Sequence, residues 1–267
     1  MIGGAETRDQ GCDADAAIRS IRRGLEAGLS CIDTAEIYAG GFTEELVGAA
    51  IRGYPRDRLQ IISKVSSRHL RHDDVLRSAA ASLERLGTDY LDVYVIHKPT
   101  PDIPLPETMQ AMQALQEKGL IRHIGVSNFS VGSLARARQY LEAPIVLNQV
   151  HYNLIYREPE RSGLLEYCRD NDIFLMAWRP LEKGAIPENP PAVLNDICTR
   201  YERTPARVAI NWLVSQSHVV TLSTMQSEQH LRDNLGAMDW TLRPEDIELL
   251  RSQFPGQHSV SNREPLL

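Results

Sequence analysis

Short apolar runs alternate with amphipathic helical segments along the whole chain. The apolar runs end near residues 33, 64, 96, 126, 149, 178 and 223, and helical spacing of apolar residues follows or precedes each of them. Residues 13–29, for example, place Ile18, Ile21, Leu25 and Leu29 on one helical face. Parallel strands need crossover connections, which helices supply, so this alternation predicts a parallel sheet covered by helices.

Almost every predicted strand stops at a polar or chemically useful side chain. An open doubly wound sheet would concentrate such residues at one switch point, whereas a TIM-type barrel gathers them from all strands at one rim. The chain also has no glycine-rich dinucleotide motif and no phosphate-binding loop motif. The sequence therefore predicts a (β/α)8 TIM-type barrel, with these strand ends: Asp33, Lys64, His97, Ser127-Asn128, Gln149, Trp178-Arg179 and Ser223-Thr224.

Composition limits the class of protein. An even 42% apolar content over 267 residues, with no linker, predicts one domain spanning residues 1–267. A net charge of -6 with interspersed acids and bases argues against nucleic-acid and membrane partners, and no apolar run reaches the roughly 18 residues of a membrane span. Because the four cysteines are scattered, we expect no metal site, no disulfide framework and a reduced, cytoplasmic protein.

Four side chains that can carry protons lie at the ends of three predicted strands. Asp33 ends the first, Tyr38 follows it in the loop, Lys64 ends the second and His97 ends the third. In a parallel sheet these groups converge at one edge. Each has an ordinary structural interpretation when taken alone, such as a helix cap, a solvated charge or a buried structural histidine. Their joint order is what predicts a catalytic site.

With these motifs in order, the chain resembles the aldo-keto reductase superfamily. The resemblance covers residues 13–254 and leaves a short polar tail at 255–267. It implies a barrel that reduces aldehydes and ketones to alcohols with a nicotinamide cofactor, so the expected partner is a small-molecule carbonyl substrate. It is carried by residues 28–38 (GLSCIDTAEIY), 62–64 (ISK), 96–97 (IH), 119–129 (GLIRHIGVSNF), 147–150 (LNQV), 179–181 (RPL) and 230–234 (HLRDN).

The resemblance implies a role for each of the four proton-carrying residues. Tyr38 would give a proton to the substrate, and a nearby ammonium on Lys64 would stabilise the phenolate, since a free phenol has a pKa of about 10. Asp33 would keep Lys64 charged and oriented. His97 would donate a hydrogen bond to the substrate oxygen as negative charge develops there.

The same resemblance assigns cofactor contacts. Ser127, Asn128 and Gln149 match the positions that hold the nicotinamide carboxamide, which needs both donors and acceptors. Trp178 matches an aromatic residue stacked on the nicotinamide ring, although a core aromatic would also stand at a strand end. Asp233 and Asn234 match an acidic-Asn pair near the adenosine, or are ordinary helix-surface residues. Further contacts are implied for Arg179, Leu181, Ser223, Thr224 and His230.

Two departures from the family pattern concern the ligands. Relatives often place Lys-Ser and an Arg at the adenosine phosphate, where this chain has Thr224, Met225 and His230, so fixed positive charge is missing. NADPH remains the expected cofactor, and NADH or dual use stays open. Relatives also commonly follow the catalytic His with Trp, where this chain has Lys98. A cation there predicts a polar or anionic substrate, unless Lys98 extends to solvent.

Two further departures concern the ends of the chain. The family's first barrel strand would lie upstream of Met1, so this barrel is expected to lack it, with a misplaced start as the favoured explanation. The polar tail has no aromatic cluster, which predicts an open and permissive substrate site. A monomer or small homo-oligomer fits the family.

Two other functions stay open from the sequence. Loss of the first strand would suit a cofactor-binding regulatory module without catalysis, although all four proton-carrying residues are retained. A Schiff-base lyase would also use a lysine at the end of a barrel strand, which is the position of Lys64. Tyr38 and the apparent carboxamide cradle favour hydride transfer over both.

Overall fold

A computed structural model describes residues 5–224 and 227–267. The chain divides into two compact units, Met1–Leu147 and Asn148–Leu267. Strand β5 (Ile145–His151) contains the boundary between them. Both units alternate strands with helices, as the sequence predicts.

The first unit holds four parallel strands in chain order. β1 pairs with β2, β2 with β3 and β3 with β4. A tight 3-10 turn, Tyr38–Gly41, follows β1, and another, Arg56–Arg58, precedes β2. The elements are α1 (Ala14–Glu26), β1 (Cys31–Asp33), α2 (Phe42–Ile51), β2 (Gln60–Val65), α3 (His72–Leu86), β3 (Leu91–Ile96), α4 (Leu105–Glu117), β4 (Ile121–Ser127) and α5 (Val131–Arg138).

The strand register in this unit brings the predicted catalytic residues to one edge of the sheet. Asp33 pairs with Ile62, and Lys64 lies two residues further along the same strand. Side chains two residues apart in a strand share a face, so Lys64 projects on the same side as Ile62 and Asp33. β3 ends at Ile96, opposite Val65, which places His97 just beyond the strand end.

Helices α2 and α3 approach each other closely at Gly48. A Cβ at this position would lie 2.7 Å from the carbonyl oxygen of Arg85 and 2.8 Å from that of Leu86. One turn earlier in α2, Glu44 is fully buried and accepts hydrogen bonds from Arg85 Nε at 2.7 Å and from Ser63 Oγ at 2.5 Å. A buried carboxylate with these partners ties α2 and α3 to strand β2.

In the second unit, β6 pairs with β7 in parallel, in register Leu175 to Val219. The polar tail lies on the segment after β5, where the backbones of Tyr156 and His258 form a parallel bridge. The elements are α6 (Glu158–Arg161), α7 (Leu164–Asp170), β6 (Phe174–Trp178), a 3-10 turn (Glu182–Gly184), α8 (Ala185–Glu188), α9 (Ala192–Tyr201), α10 (Pro205–Val214), β7 (Val219–Thr221), α11 (Glu228–Leu235) and α12 (Pro244–Gln253).

The observed elements follow the predicted order with small differences. Helical spacing of apolar residues over 159–170 predicts one helix, but the structure has two, α6 and α7, because Gly163 between them adopts a left-handed conformation with φ of 74°. Among residues 5–224 and 227–267 the first strand is β1. The family's first strand was expected upstream of Met1, and residues 1–4 lie outside the described residues. The prediction of a single domain stays a prediction. Within the described ranges no helix combines the length and apolarity needed to cross a membrane.

Candidate active site

Lys64 stands at the centre of the predicted catalytic group. Its Nζ atom lies 2.6 Å from Asp33 Oδ2, 2.8 Å from the carbonyl oxygen of Thr34 and 3.3 Å from Tyr38 Oη. An ammonium has three donors, and these three oxygens engage all of them. The side chain of Lys64 is 2% exposed and that of Asp33 is 10% exposed. Burial by itself lowers the pKa of Lys64, but Asp33 and then Tyr38 outweigh it and the pKa is raised.

The phenol of Tyr38 is positioned by an unusual turn. Three residues in succession, Ala39, Gly40 and Gly41, have φ values of 54°, 64° and 95°. Left-handed backbone is unfavourable for a residue with a Cβ, so Ala39 is held there by its surroundings. Its N–H donates to the carbonyl oxygen of Ala5 at 2.6 Å, and its side chain is buried. The turn reverses the chain immediately after Tyr38 and leaves the phenol partly exposed.

His97 lies beside the phenol and is mostly neutral. Its ring meets that of Tyr38 edge-on, with centroids 5.6 Å apart and planes at 80°. Burial, followed by the charge of Lys64, lowers the pKa of His97 from 6.5 to about 3. A neutral imidazole keeps one N–H to donate. Among the residues that the structure describes, no group bonds to its Nδ1 atom.

The depressed pKa of His97 predicts a pH-dependent stability. The unfolded chain binds a proton at His97 near pH 6.5 and the folded chain near pH 3, so the neutral form stabilises the fold fully above pH 6.5. Between these values the unfolded state binds more protons than the folded state. The free energy of unfolding therefore decreases as pH is lowered, and His97 contributes at most about 1.4 kcal/mol of this decrease per pH unit. The free energy of unfolding of His97→Asn, measured by urea denaturation at a series of pH values, should depend less steeply on pH than that of wild type below pH 6.5. Above pH 6.5 the two curves of free energy against pH should be parallel. Identical slopes would contradict the assignment.

Asn128 and Ser127, at the end of β4, present hydrogen-bonding groups that suit a carboxamide. Asn128 has a φ of 63° and is 3% exposed. Its Nδ2 atom donates to Ser127 Oγ at 3.0 Å and to the carbonyl oxygen of His97 at 3.3 Å. Its Oδ1 atom is buried with no hydrogen-bond partner in the described part of the chain. A buried acceptor without a partner costs free energy, and an amide N–H₂ group would satisfy it.

In the second unit, Trp178 at the end of β6 has one face already covered. The imidazole of His151 stacks on it with centroids 4.2 Å apart and planes at 7°. Gln149 is 2% exposed, and its Nε2 atom lies 3.2 Å from Met176 Sδ. Arg179 follows Trp178 with a φ of 56°, and its Nη1 atom is 3.6 Å from Glu182 Oε1. Leu181 lies in the same loop and is partly exposed.

The predicted adenosine residues lie after β7 and on α11. Asn234 donates from Nδ2 to Ser223 Oγ at 2.9 Å, which links the strand end to the helix. Asp233 is held by Arg207 Nε at 3.3 Å, so this carboxylate already has a cationic partner. Thr224 and His230 are exposed. Met225 lies outside the described residues.

Several structural partners of these residues were not predicted from the sequence. The carbonyl oxygen of Thr34 completes the coordination of Lys64, and any residue could have supplied it. Three side chains distant in sequence contact predicted cofactor residues: Arg207 pairs with Asp233, His151 stacks on Trp178, and Asn153 donates to the carbonyl oxygen of Arg179. No local motif marks such pairs. Lys98, next to His97, is partly exposed. The described residues contain no cluster of three or more His, Cys, Asp or Glu arranged to hold a metal.

Comparison with known proteins shows the family. The family model described as "Aldo/keto reductase family" matches residues 1–253. A glyoxal reductase from Bacillus subtilis (strain 168) is 33% identical over 257 residues, which is 96% of this chain and 90% of that protein.

Two solved structures extend the similarity to the fold. A thermostable aldo-keto reductase in complex with the inhibitor epalrestat superposes with a TM-score of 0.91 at 43% identity, covering 94% of this chain and 91% of that one. An aldo-keto reductase from Klebsiella pneumoniae in complex with NADPH has a TM-score of 0.86 at 31% identity, covering 99% and 93%. The chain therefore belongs to the aldo/keto reductase family of oxidoreductases and has its (β/α)8-barrel fold.

Proposed function

We propose that this protein reduces a small polar aldehyde or ketone to an alcohol with NADPH, and that Tyr38 gives the proton. One observation carries the proposal: Lys64 Nζ joins a carboxylate, Asp33 Oδ2 at 2.6 Å, to a phenol, Tyr38 Oη at 3.3 Å. The ammonium is fixed by Asp33 and stabilises the phenolate that remains once Tyr38 has given up its proton. His97, neutral and in edge contact with the phenol, donates to the substrate oxygen.

The same contacts argue against a Schiff-base lyase. A lysine must lose a proton and expose its lone pair before it can attack a carbonyl. Although burial opposes it, the charge of Asp33 raises the pKa of Lys64, and three oxygens occupy its donors. Borohydride reduction in the presence of substrate is therefore expected to trap no adduct on Lys64.

NADPH supplies the hydride when it is bound. Asn128 and Ser127 would hold its carboxamide, which gives the buried Oδ1 atom of Asn128 a partner. From the family resemblance we also propose Gln149 and Trp178 as contacts of the nicotinamide. The proposed contacts of the adenosine are Ser223, Thr224, His230, Asp233 and Asn234. Arg179, which is partly exposed and follows Trp178 directly, and Leu181 are further proposed contacts. With Thr224 and His230 at the adenosine phosphate, NADH use remains part of the proposal.

The substrate class is inferred from Lys98 and from the relatives. A glyoxal reductase is among them. Glyoxal-type dicarbonyls are small and polar, and Lys98 would place a cation beside His97 where such a group would lie. We therefore propose small, polar carbonyl compounds as substrates, handled by a monomer or small homo-oligomer. All four cysteines are free, which suits a reduced cytoplasmic setting.

Fluorescence titration of the protein with NADPH and NADH, followed by addition of methylglyoxal, tests the function. Binding followed by oxidation of the cofactor is the expected result, and the two affinities decide the cofactor preference. Binding without turnover of methylglyoxal or of a generic aldehyde would contradict catalysis and favour a regulatory module. Failure to bind either nucleotide would overturn the proposal.

The role of Lys98 gives a prediction on substrate ranking. Lys98→Trp should lower kcat/KM for para-carboxybenzaldehyde relative to para-nitrobenzaldehyde by about tenfold, the equivalent of roughly 1.4 kcal/mol of charge interaction. Lys118→Trp, at the exposed end of α4, is the matched control and should leave the ratio unchanged. An unchanged ratio in Lys98→Trp would show that Lys98 only extends to solvent.

A further inference from the structure

His151, at the end of β5, forms the centre of a stack of four rings in the second unit. Its imidazole lies 4.2 Å from the ring of Trp178 on one side and 4.2 Å from that of Tyr156 on the other, and His258 continues the stack at 5.1 Å from Tyr156. The His151 side chain is 1% exposed. Its plane is within 7° of that of Trp178, so the imidazole fixes the plane of the indole, and the guanidinium carbon of Arg179 lies 5.5 Å from the centroid of the same indole.

The loop after Trp178 has a backbone that needs support. Arg179, Glu182 and Lys183 have φ values of 56°, 45° and 56°, a conformation that residues with a Cβ seldom adopt. Such a backbone persists only where surrounding groups hold it. The loop contains Arg179 and Leu181, two of the predicted cofactor residues.

Two buried side chains at the end of β5 hold this loop. His151 Nε2 lies 2.7 Å from Glu182 Oε2. Asn153, which is fully buried, donates from Nδ2 to the same carboxylate oxygen at 3.0 Å and to the carbonyl oxygen of Arg179 at 2.9 Å. Burial raises the pKa of Glu182, but the hydrogen bonds from His151 and Asn153, together with the electrostatic effects of His151 and Arg179, outweigh it and the pKa is lowered.

The polar tail fixes the direction of the His151 hydrogen bonds. Ser261 Oγ accepts from the N–H groups of Arg263 and Glu264, each at 3.1 Å, and lies 2.9 Å from His151 Nδ1. With its acceptor sites engaged, the hydroxyl hydrogen is directed at Nδ1, so the ring proton is on Nε2 and points to Glu182.

We propose that His151 is a positioning residue for the nicotinamide end of the cofactor site. It fixes the plane of Trp178 through the ring stack and the conformation of residues 179–184 through Glu182. This inference rests on the proposed function, because it takes Trp178 and the loop to be cofactor contacts. It adds a residue that touches neither the reacting atoms nor the cofactor, and that links the tail to the site.

Two variants and a matched control test the proposal. His151→Phe keeps a ring in the stack but removes both hydrogen bonds, and Glu182→Gln keeps the shape of the carboxylate but removes its charge. His218→Phe is the control, since His218 also pairs with a carboxylate, Asp172 at 3.1 Å, and with a serine hydroxyl, Ser217 at 2.9 Å, beside an aromatic ring. His218 lies at the opposite end of β6 and β7, before β7 begins.

The first readout is amide hydrogen exchange without cofactor. The N–H groups of Glu182, Gly184 and Ile186 are bonded within the loop at 3.0, 3.0 and 3.4 Å, so their exchange reports its opening. We expect about tenfold faster exchange in His151→Phe and Glu182→Gln, the equivalent of one hydrogen bond to a charged group, and wild-type exchange in His218→Phe.

The second readout is the affinity for NADPH together with kcat at saturating NADPH. The two variants should bind NADPH about tenfold more weakly, with kcat at saturation changed by less than about threefold, since the proton-carrying residues are intact. A merely structural role would lower the melting temperature of His151→Phe while loop exchange and NADPH affinity stay as in wild type, and this result would overturn the inference. Absence of nucleotide binding by wild type would instead overturn the proposed function, and with it the assignment to a cofactor site.

Discussion

Tyr38→Phe is expected to lower kcat for aldehyde reduction by roughly 10²–10⁴-fold, the range that a positioned general acid contributes. The substitution removes only the hydroxyl that lies 3.3 Å from Lys64 Nζ and keeps the ring that meets His97 edge-on. Affinity for NADPH should stay within about twofold of wild type, because no nucleotide contact is assigned to the phenol. The measurement is steady-state reduction of methylglyoxal alongside a binding titration.

A matched control separates the hydroxyl of Tyr38 from tyrosine loss in general. Tyr140, after α5, is 41% exposed, and Tyr140→Phe should leave kcat unchanged. If Tyr38→Phe retained more than a tenth of wild-type turnover, another group or water would have to give the proton, and the catalytic assignment would be wrong.

Lys64→Met should damage both catalysis and stability. The ammonium would no longer stabilise the phenolate, so kcat should fall by roughly the same 10²–10⁴-fold as in Tyr38→Phe. Asp33, 10% exposed, would keep its charge with its cation removed, and breaking a buried pair in this way costs about 3–5 kcal/mol. Urea denaturation measures this loss.

The double variant Asp33→Asn/Lys64→Met shows whether the loss comes from an unpaired charge. Removing both charges should restore about half or more of the stability lost in Lys64→Met, because no isolated ion remains. Activity should not return. A double variant less stable than either single variant would show that Asp33 and Lys64 stabilise the fold independently. Although burial opposes it, the charge of Asp33 raises the pKa of Lys64 above 10.5. The stability that comes from the Lys64 titration is therefore lost at alkaline pH, as pH rises from 10.5 through the folded value.

The catalytic group was predictable because its members stand at strand ends. The apolar runs that stop at Asp33, Lys64 and His97 indicate where three strands end. Because the strands pair in parallel, these ends lie at the same edge of the sheet. Lys64 lies two residues beyond the partner of Asp33, a register that the strand lengths alone come close to specifying. The observed contacts among Asp33, Tyr38 and Lys64 follow from this geometry, while their catalytic roles stay a prediction.

The sequence was less informative where geometry depends on backbone conformation or on distant partners. Gly40 and Gly41 readily adopt left-handed backbone, but nothing local specified it at Ala39, whose N–H donates to the carbonyl oxygen of the distant Ala5. The pairing of His151 with Glu182 spans a sequence separation of 31 residues and joins the end of β5 to the loop after β6. Trp178 was expected to stack on a nicotinamide ring, and no local pattern indicated that His151 would cover its other face.

The full engagement of the Lys64 ammonium has a consequence for the durability of an enzyme of this kind. Reactive aldehydes slowly condense with the amines of the proteins that handle them, and a site that concentrates such a compound is exposed to inactivation by its own substrate. Lys64 is protected, because three oxygens bind its protons and its side chain is 2% exposed. Lys98, partly exposed beside His97, has no comparable burial. Among the lysines, chemical ageing in excess dicarbonyl should therefore modify Lys98, Lys118 and Lys183 before Lys64, so that the change at Lys98 alters substrate preference before the loss of Lys64 stops turnover.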